Sequence, residues 1–430
     1  MGPAAGLPPD GMVSCGREAQ LGIDPGAGRP PVVVAGAYQT GVNLMRDLVR
    51  HKVEACCVDC SPGQQGFRTV YGKGYLCPNP DTQPAGWERF MIELAGRIGG
   101  RAVLIPSADQ FVTAIAAHAA ALEPHYIFRA ASMTTQALLA TKTRQYDIAE
   151  GNGLPVPRTR FVQSLEEVRQ FGREARFPCL LKPVHCREWE RFPRGHPLLG
   201  QKIVLAQSPE ELEARYHLAE SVTPALVIQE IVEGPDTAKL VYLSCYGRGA
   251  RRLGSCMVRQ LRTTPIYFGS ASVVEPVSDP EADALCDGFF RAIGYEGICE
   301  LELKRDSRDG QVKLIEANPR YSITADAAPY AGVELGWLHY LDLIGEPVQP
   351  VEWNGRHFHH IVLQRDVCCF RSYLKAGLTT WGGLVRSYQS PVFFDFDPRD
   401  WRLAAATAVF VLKVLLHPTV RRFFPKRVRP

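Results

Sequence analysis

The segment from residue 298 to residue 320, ICELELKRDSRDGQVKLIEANPR, concentrates side chains that can do chemistry. Its first seven residues alternate between apolar and polar types, which predicts a strand with Glu300 and Glu302 on its polar face. Asp309-Gly310 is a typical hairpin turn, so a second strand is predicted to return beside the first. The side chains predicted to share one face of that second strand are Val312, Leu314, Glu316 and Asn318.

Polar side chains are predicted to face each other across this hairpin. If the turn centres near Asp309, Glu302 lies opposite Glu316, and Glu300 lies opposite Asn318. Like charges directly opposite one another destabilise a sheet, so a cation is expected between them. Oxygen ligands without His or Cys favour Mg²⁺, which proteins usually hold with one or two carboxylates and substrate phosphates. The acid, amide and arginine that close the second strand favour this site over a solvated hairpin face. Register alone leaves Glu300 as an alternative ligand.

The composition is that of an ordinary globular protein with an ample core: 430 residues, 46% of them hydrophobic and 22% charged. A net charge of +4 gives no support for nucleic-acid binding, and the body of the chain has no basic stripe with interleaved aromatics. The 13 cysteines are scattered and follow no secretory signal, so reduced thiols in a cytoplasmic protein are expected. Residues 1–30, rich in Gly, Pro and Ala, are predicted to form a disordered tail.

An α/β unit is predicted over residues 31–130. A β-branched run is followed by a helical pattern, a second strand that ends at Asp59, and a third buried strand at residues 101–106. Asp59 stands where a dinucleotide fold carries its ribose-binding acid. Residues 36–41 lack the G-x-G-x-x-G spacing, however, so an NAD-linked oxidoreductase is disfavoured.

Two lysines stand at the ends of predicted elements further along. Lys142 lies at the start of a predicted helix, and Lys182 lies at the end of a predicted strand. An apolar strand over residues 225–234 then runs into a Gly turn. Between them, the polar segment 184–202 has no periodicity, and a loop of that length is expected to be a lid over a binding site. The arginines of this segment that suit a phosphate cover are Arg187, Arg191 and Arg194.

These features stand in one order that resembles the ATP-grasp superfamily, the carboxylate–amine ligases related to carbamoyl phosphate synthetase and biotin carboxylase. The resemblance covers about residues 31–345. It implies an α/β (α+β) ATP-grasp architecture. A small Rossmann-like pre-ATP-grasp domain occupies residues 31–130, and a two-subdomain ATP-grasp domain with its lid occupies residues 131–345. A C-terminal extension follows over residues 346–430.

The resemblance also implies a role for each motif residue. Lys142 and Lys182 would hold the phosphates of ATP, and Arg320 would face the transferring phosphoryl group or the acyl phosphate. The residues expected to bind the adenine edge are Glu230, Ile231 and Val232. The acids expected to bind the ribose are Glu233, which is favoured, or Asp236. The residues expected to bind Mg²⁺ or Mn²⁺ are Glu302, Glu316 and Asn318.

The chemistry implied by the resemblance is an ADP-forming ligation of a small-molecule carboxylate to an amine. The carboxylate attacks the γ-phosphate, and the amine then displaces phosphate from the acyl phosphate. Positioning and charge neutralisation do most of the work in such a reaction, and no nucleophilic side chain is needed. The alternative hypothesis is a non-catalytic ATP-binding regulatory module recruited to the membrane surface. Neither hypothesis specifies an oligomeric state.

The C-terminal extension has a different character. Residues 357–360 are His-Phe-His-His, and apolar and polar residues alternate around them. They are expected to lie in a strand, with histidines that have a structural role. Residues 403–416 are predicted to be an apolar helix too short to span a bilayer. A basic tail follows, so peripheral contact of residues 401–430 with the inner face of the membrane is one expectation, and a helix packed on the protein body is the other. The extension resembles that of bacterial D-aspartate and carboxylate–amine ligases. This suggests an amino acid joined to a cell-envelope precursor or small metabolite.

Overall fold

The computed structural model describes residues 28–184, 188–201 and 203–416. The predicted N-terminal tail therefore lies almost entirely outside the described residues, as do Arg187 and the basic tail after residue 416. Three sheets build the described part of the chain, and the predicted ATP-grasp architecture is confirmed. Every cysteine in the described ranges is free of disulfide bonds.

The first sheet is parallel and five-stranded, in the order β3-β2-β1-β4-β5. Its strands and helices are β1 (Val32–Ala35), α1 (Gln39–Arg50), β2 (Ala55–Asp59), β3 (Lys73–Leu76), α2 (Pro84–Ile98), β4 (Ala102–Pro106), α3 (Asp109–Ala117), α4 (Ala119–Leu122) and β5 (Tyr126–Ile127). Asp59 is buried and accepts hydrogen bonds from the backbone N–H groups of Ala37 (2.8 Å) and Ser61 (2.9 Å). This acid therefore fixes the loops at the strand ends.

The second sheet is a small antiparallel one in the order β6-β9-β7-β8. Two helices lead into it, and two more pack on it. The elements of this part are α5 (Ala130–Ala140), α6 (Lys142–Gly151), β6 (Thr159–Val162), α7 (Leu165–Glu174), β7 (Cys179–Pro183), β8 (Val204–Ala206), α8 (Pro209–Ala219) and β9 (Leu226–Glu230). Alternating apolar side chains of the strands and one face of each helix form a separate core.

The described part of the predicted lid segment packs against this small sheet. Trp189, Phe192 and Leu198 are all buried in the same core as strand residues Leu181 and Ile228. The segment therefore has an apolar anchor to the small sheet, while the side chains of its described arginines remain exposed. A role as a lid stays a prediction.

The third sheet is the largest, in the order β14-β13-β10-β11-β12-β16-β17, with β15 beside β11. Its elements up to residue 345 are β10 (Lys239–Gly247), β11 (Arg251–Thr264), β12 (Ser270–Pro276), α9 (Pro280–Ala292), β13 (Gly297–Arg305), β14 (Val312–Asn318) and α10 (Leu335–Ile344). Those of the extension are β15 (Val351–Glu352), β16 (His359–Ile361), α11 (Leu363–Lys375), α12 (Trp381–Arg386), β17 (Pro391–Phe393) and α13 (Trp401–Leu416). The strands after residue 345 thus belong to the same large sheet as those before it.

The predicted structural role of the histidine tract agrees with its contacts. His360 is buried on β16, and its Nε2 lies 3.1 Å from Asp326 Oδ2. That carboxylate also binds Arg46 of α1, so one buried network joins α1, the residues after β14 and the extension. The predicted apolar helix is present as α13. None of the helices in the described ranges has the length and apolar character needed to cross a bilayer.

The predicted hairpin and its register are confirmed. β13 and β14 pair with Glu302 opposite Glu316 and Glu300 opposite Asn318. The prediction that four alternate residues of the second strand share one face was wrong, because the register shifts by one residue next to Glu302. The pairing skips Ile315, so Leu314 lies on the apolar face with Val312, whereas Glu316 lies on the other.

Candidate functional site

A cavity of about 380 Å³ lies between the small sheet and the large sheet. Seven of the residues singled out from the sequence line it: Lys142, Lys182, Glu230, Ile231, Val232, Glu302 and Glu316. They come from the start of α6, from strands β7 and β9 with the residues that follow β9, and from the β13–β14 hairpin. The fold therefore brings together motifs that are separated by more than 150 residues in the sequence.

The two lysines enter the cavity from different elements. Lys142 is the first residue of α6, and its Nζ lies 3.7 Å from Glu316 Oε1. Lys182 lies on β7, where its Nζ donates a hydrogen bond to Tyr146 Oη at 3.3 Å. Tyr146 Oη donates in turn to the carbonyl of Ile315, the residue that the register shift releases from pairing. The irregularity in β14 is thus part of the scaffold that holds Lys182.

The facing carboxylates have the electrostatics expected of a cation site. Burial, together with the negative charges of Glu300 and Glu316, raises the pKa of Glu302 from its ordinary 4.5 to about 8. A divalent cation would remove this repulsion, so Glu302 and Glu316 fit the predicted magnesium. Within the described ranges, no three His, Cys, Asp or Glu side chains form a metal-binding cluster. Such a cation would therefore need ligand oxygens from outside the acidic side chains, such as phosphates.

The alternative ligand, Glu300, is in a different environment. It is only 3% exposed and does not line the cavity. Its oxygens accept hydrogen bonds from Asn318 Nδ2 (2.9 Å) and Ser322 Oγ (2.5 Å). Glu300 therefore holds Asn318 in place, while Glu302 faces the cavity.

Asn318 and Arg320 lie beyond the cavity lining and contact each other. Arg320 Nη2 donates to Asn318 Oδ1 at 3.0 Å, so the oxygen predicted to bind the metal already accepts a hydrogen bond. Arg320 also forms a two-pronged ion pair with Asp109, at 2.5 Å and 3.0 Å. Asp109 is the first residue of α3, which follows strand β4 of the first sheet, so this part of the chain contributes an acid beside the predicted catalytic arginine.

The predicted adenine edge follows β9. Glu230, Ile231 and Val232 all line the cavity, with Val232 buried. The carbonyl of Ile231 accepts a hydrogen bond from Arg308 Nη2 at 2.9 Å, and the Glu230 side chain accepts one from the backbone N–H of Arg176 at 2.9 Å. One side chain and one backbone N–H from neighbouring segments thus fix the course of this edge.

The two predicted ribose acids do not line the cavity. Asp236 is buried, and its Oδ2 accepts hydrogen bonds from Thr263 Oγ1, the Tyr267 N–H and the hydroxyl of Tyr373. This acid therefore ties the turn after β9 to β11 and α11. Glu233 is 44% exposed, with its Oε1 3.8 Å from Arg308 Nη1.

A second pair of like charges was missed by the sequence analysis. Lys239 on β10 lies directly opposite Lys304 on β13, and both line the cavity. Burial and the charge of Lys239 lower the pKa of Lys304 from 10.5 to about 8. The sequence position of Lys304 could have indicated that it lines the cavity. It lies two residues after Glu302, so the two side chains share a face of the strand. The other lining residues missed from the sequence include Ile203, Gln260, Tyr267, Phe268 and Ser270.

The chain resembles known proteins in sequence, although no protein-family model matches it. It is 24% identical over 231 residues to a D-aspartate ligase from Enterococcus faecium, covering 51% of this chain and 53% of that protein. It is 27% identical over 212 residues to the carbamoyl phosphate synthase large chain of Methanothrix thermoacetophila, covering 45% of this chain and 18% of that protein. The chain thus spans about half the length of the first relative and a smaller share of the second.

A solved structure has a fold similar to that of this chain. N5-carboxyaminoimidazole synthetase from Staphylococcus aureus superposes with a TM-score of 0.59 at 12% identity, covering 81% of this chain and 86% of that one. The same enzyme has also been solved complexed with ADP. At this identity the likeness concerns the fold alone, and the sequence relatives supply the connection by descent. The architecture, the order of the motifs and these relatives together relate the chain to the ATP-grasp superfamily.

Proposed function

We propose that the protein is an ATP- and Mg²⁺-dependent ligase that joins a carboxylate to an amine through an acyl phosphate and releases ADP. The observation that carries the proposal is the single cavity in which Lys142, Lys182 and the opposed Glu302 and Glu316 meet beside the residues that follow β9. Cationic side chains and a carboxylate pair that a divalent cation would stabilise are the groups that phosphoryl transfer needs.

The side chains divide the work as follows. Lys142 and Lys182 bind the phosphates of the nucleotide, since Lys offers a point charge on a flexible stem. Glu302 and Glu316 would hold Mg²⁺ or Mn²⁺, which would supply positive charge against the phosphates. Arg320 orients the substrate carboxylate and stabilises the negative charge of the acyl phosphate. The amine then attacks the acyl carbon, and inorganic phosphate leaves.

The position of Asp109 implies that substrate binding displaces an existing ion pair. Its carboxylate makes two charge-assisted bonds with Arg320, which is the geometry that a substrate carboxylate would adopt on the same guanidinium. A substrate that binds Arg320 must therefore displace or share the position of Asp109. This favours a carboxylate substrate that enters between the first sheet and the end of β14.

The D-aspartate ligase relative supports an amino acid as one substrate, and we propose that the other is a cell-envelope precursor or a small metabolite. The test is a coupled ADP-release screen over amino acids and small carboxylates, run with the wild type and Glu316→Gln. We expect ADP, phosphate and an amide to form together with the wild type, and we expect the variant to lose turnover. The matched control is Glu166→Gln, whose side chain is 74% exposed, and it should retain activity.

Other products would overturn the proposal in distinguishable ways. Formation of AMP and pyrophosphate would exclude an acyl phosphate. ATP binding that survives Glu302→Gln and Glu316→Gln, without turnover in any substrate pool, would favour the non-catalytic regulatory module. Unchanged activity of Glu316→Gln would refute the assignment of the metal site.

A further inference from the structure

Within the described part of the chain, helix α13 packs on the protein through one face. Leu403, Ala404, Thr407 and Val414 are buried, and the helix lies against α11. Thr407 fixes the rotation of the helix, because its hydroxyl donates to the carbonyl of Asp395 at 2.6 Å and accepts from Gln364 Nε2 at 3.0 Å. The opposite face is therefore turned away from the core.

That outer face carries large apolar side chains. Trp401 is 64% exposed, Leu412 54%, Val409 50% and Leu415 44%. With about 100° of rotation per residue, these four positions fall within an arc of about 120°. Single exposed apolar residues are normal on a protein surface, but four on one helical face mark an interaction surface. We call these four residues the outer face of α13.

The charges on α13 itself have one sign. Arg402 and Lys413 are exposed on α13, and residues 401–416 contain no acid. The sequence that follows, residues 417–430, contributes five more Arg and Lys residues and again no acid. An apolar face bordered by cations complements a surface that is apolar inside and anionic outside, and a bilayer with acidic headgroups has this arrangement.

We propose that the outer face of α13 lies on the surface of an anionic lipid bilayer, at the depth of the headgroups. A second copy of this chain fits less well, because a symmetric contact would bring the same cations together from both sides. The inference is independent of the reaction proposed above, since no residue of α13 lines the nucleotide cavity.

The test uses the full chain in co-sedimentation with two kinds of vesicle, phosphatidylcholine alone and phosphatidylcholine mixed with phosphatidylglycerol. We expect binding to the anionic vesicles only, weakening as salt is raised. Trp401→Ser combined with Leu412→Ser should reduce that binding about thirtyfold, because two side chains no longer enter the interface. The control pair Trp381→Ser and Val385→Ser, which are 67% and 66% exposed on α12, should leave binding unchanged.

Three results would overturn the proposal. Equal binding to neutral and anionic vesicles would remove the role of charge. Unchanged binding of the α13 double variant would remove the role of the outer face. A dimer in sedimentation equilibrium that the α13 double variant dissociates would assign the face to self-association instead. Both residues are exposed, so thermal unfolding of the variants should match the wild type and exclude misfolding as the cause.

Discussion

Replacing Glu302 with Gln should make the metal-free protein more stable while abolishing its activity. In the folded chain the pKa of Glu302 is raised from 4.5 to about 8, because the ionised form is buried beside Glu300 and Glu316. The folded state therefore holds a proton over a pH range in which the unfolded state has lost it. By linkage, the contribution of Glu302 to stability falls as pH rises from about 4.5 to about 8.

The size of the effect follows from the same values. A shift of this extent corresponds to roughly 3 kcal/mol lost between pH 5 and pH 8 at 1.36 kcal/mol per pKa unit, and solvent near the cavity reduces it to about 2 kcal/mol. Gln has nearly the same shape and carries no charge, so Glu302→Gln should recover most of this free energy at pH 8. A gain of about 2 kcal/mol corresponds to a rise of about 2 °C in the melting temperature of a chain of this length.

The assay is thermal unfolding in the presence of EDTA at pH 5 and pH 8, repeated with Mg²⁺ and ADP. We expect Glu302→Gln to melt above the wild type at pH 8 and close to it at pH 5. Mg²⁺ with ADP should stabilise the wild type and have little effect on the variant. Glu166→Gln, on the exposed surface of α7, serves as the control. A variant that melts below the wild type at pH 8 would refute the argument that the opposed carboxylates repel each other.

Two further predictions concern residues outside the cavity. Asp109→Asn should lower the KM for the carboxylate substrate about fivefold, because a partly exposed ion pair of about 1 kcal/mol no longer competes for Arg320. Initial rates at varied concentrations of the carboxylate measure this KM. A raised KM would show instead that Asp109 holds Arg320 in position. His339→Leu should weaken the pH dependence of stability, because burial lowers the pKa of His339 from 6.5 to about 3. The free energy of unfolding of the wild type should therefore fall by about 1–2 kcal/mol between pH 7 and pH 5, and that of the variant should not show this loss. Urea unfolding at the two pH values tests this, and equal losses in both proteins would contradict it.

The hairpin shows how far the sequence leads. Its turn and its cross-strand pairs follow from Asp309-Gly310 and from simple alternation, and both were predicted in the correct register. The register shift at Ile315 was not predicted, although Leu314-Ile315 places two apolar residues in succession where alternation allows one. Alternation predicts which side chains share a face of the strand. It does not predict which residue is left out of the strand pairing. Here that residue is Ile315, whose carbonyl accepts a hydrogen bond from Tyr146, 169 residues away in the sequence.

Long-range contacts also explain what the sequence analysis missed around the site. Asp109 meets Arg320 across 211 residues and between two sheets, and no local pattern connects them. The predicted lid was judged on its polar residues, whereas its Trp and Phe are the residues that fix it to the small sheet. Asp236 was a candidate ribose ligand by its position after β9, but Tyr373 of the extension occupies it. The surroundings of these site residues therefore depend on contacts with residues distant in the sequence.

The charge pattern along β13 supports a nucleotide more specifically than either pair of like charges does alone. Glu302 and Lys304 lie two residues apart on one strand face, and each lies across from a residue of its own sign, Glu316 on one side and Lys239 on the other. One end of the cavity therefore favours a cation. At the other end Lys304 favours an anion or an electron-rich group, since Lys239 is already paired with Asp236 at 3.2 Å. A simple anion would satisfy only the lysines, and a free divalent cation would satisfy only the carboxylates. A nucleotide with a divalent cation on its phosphates satisfies both in one binding event, which is why a strand that places opposed like charges side by side can be retained in a stable sheet.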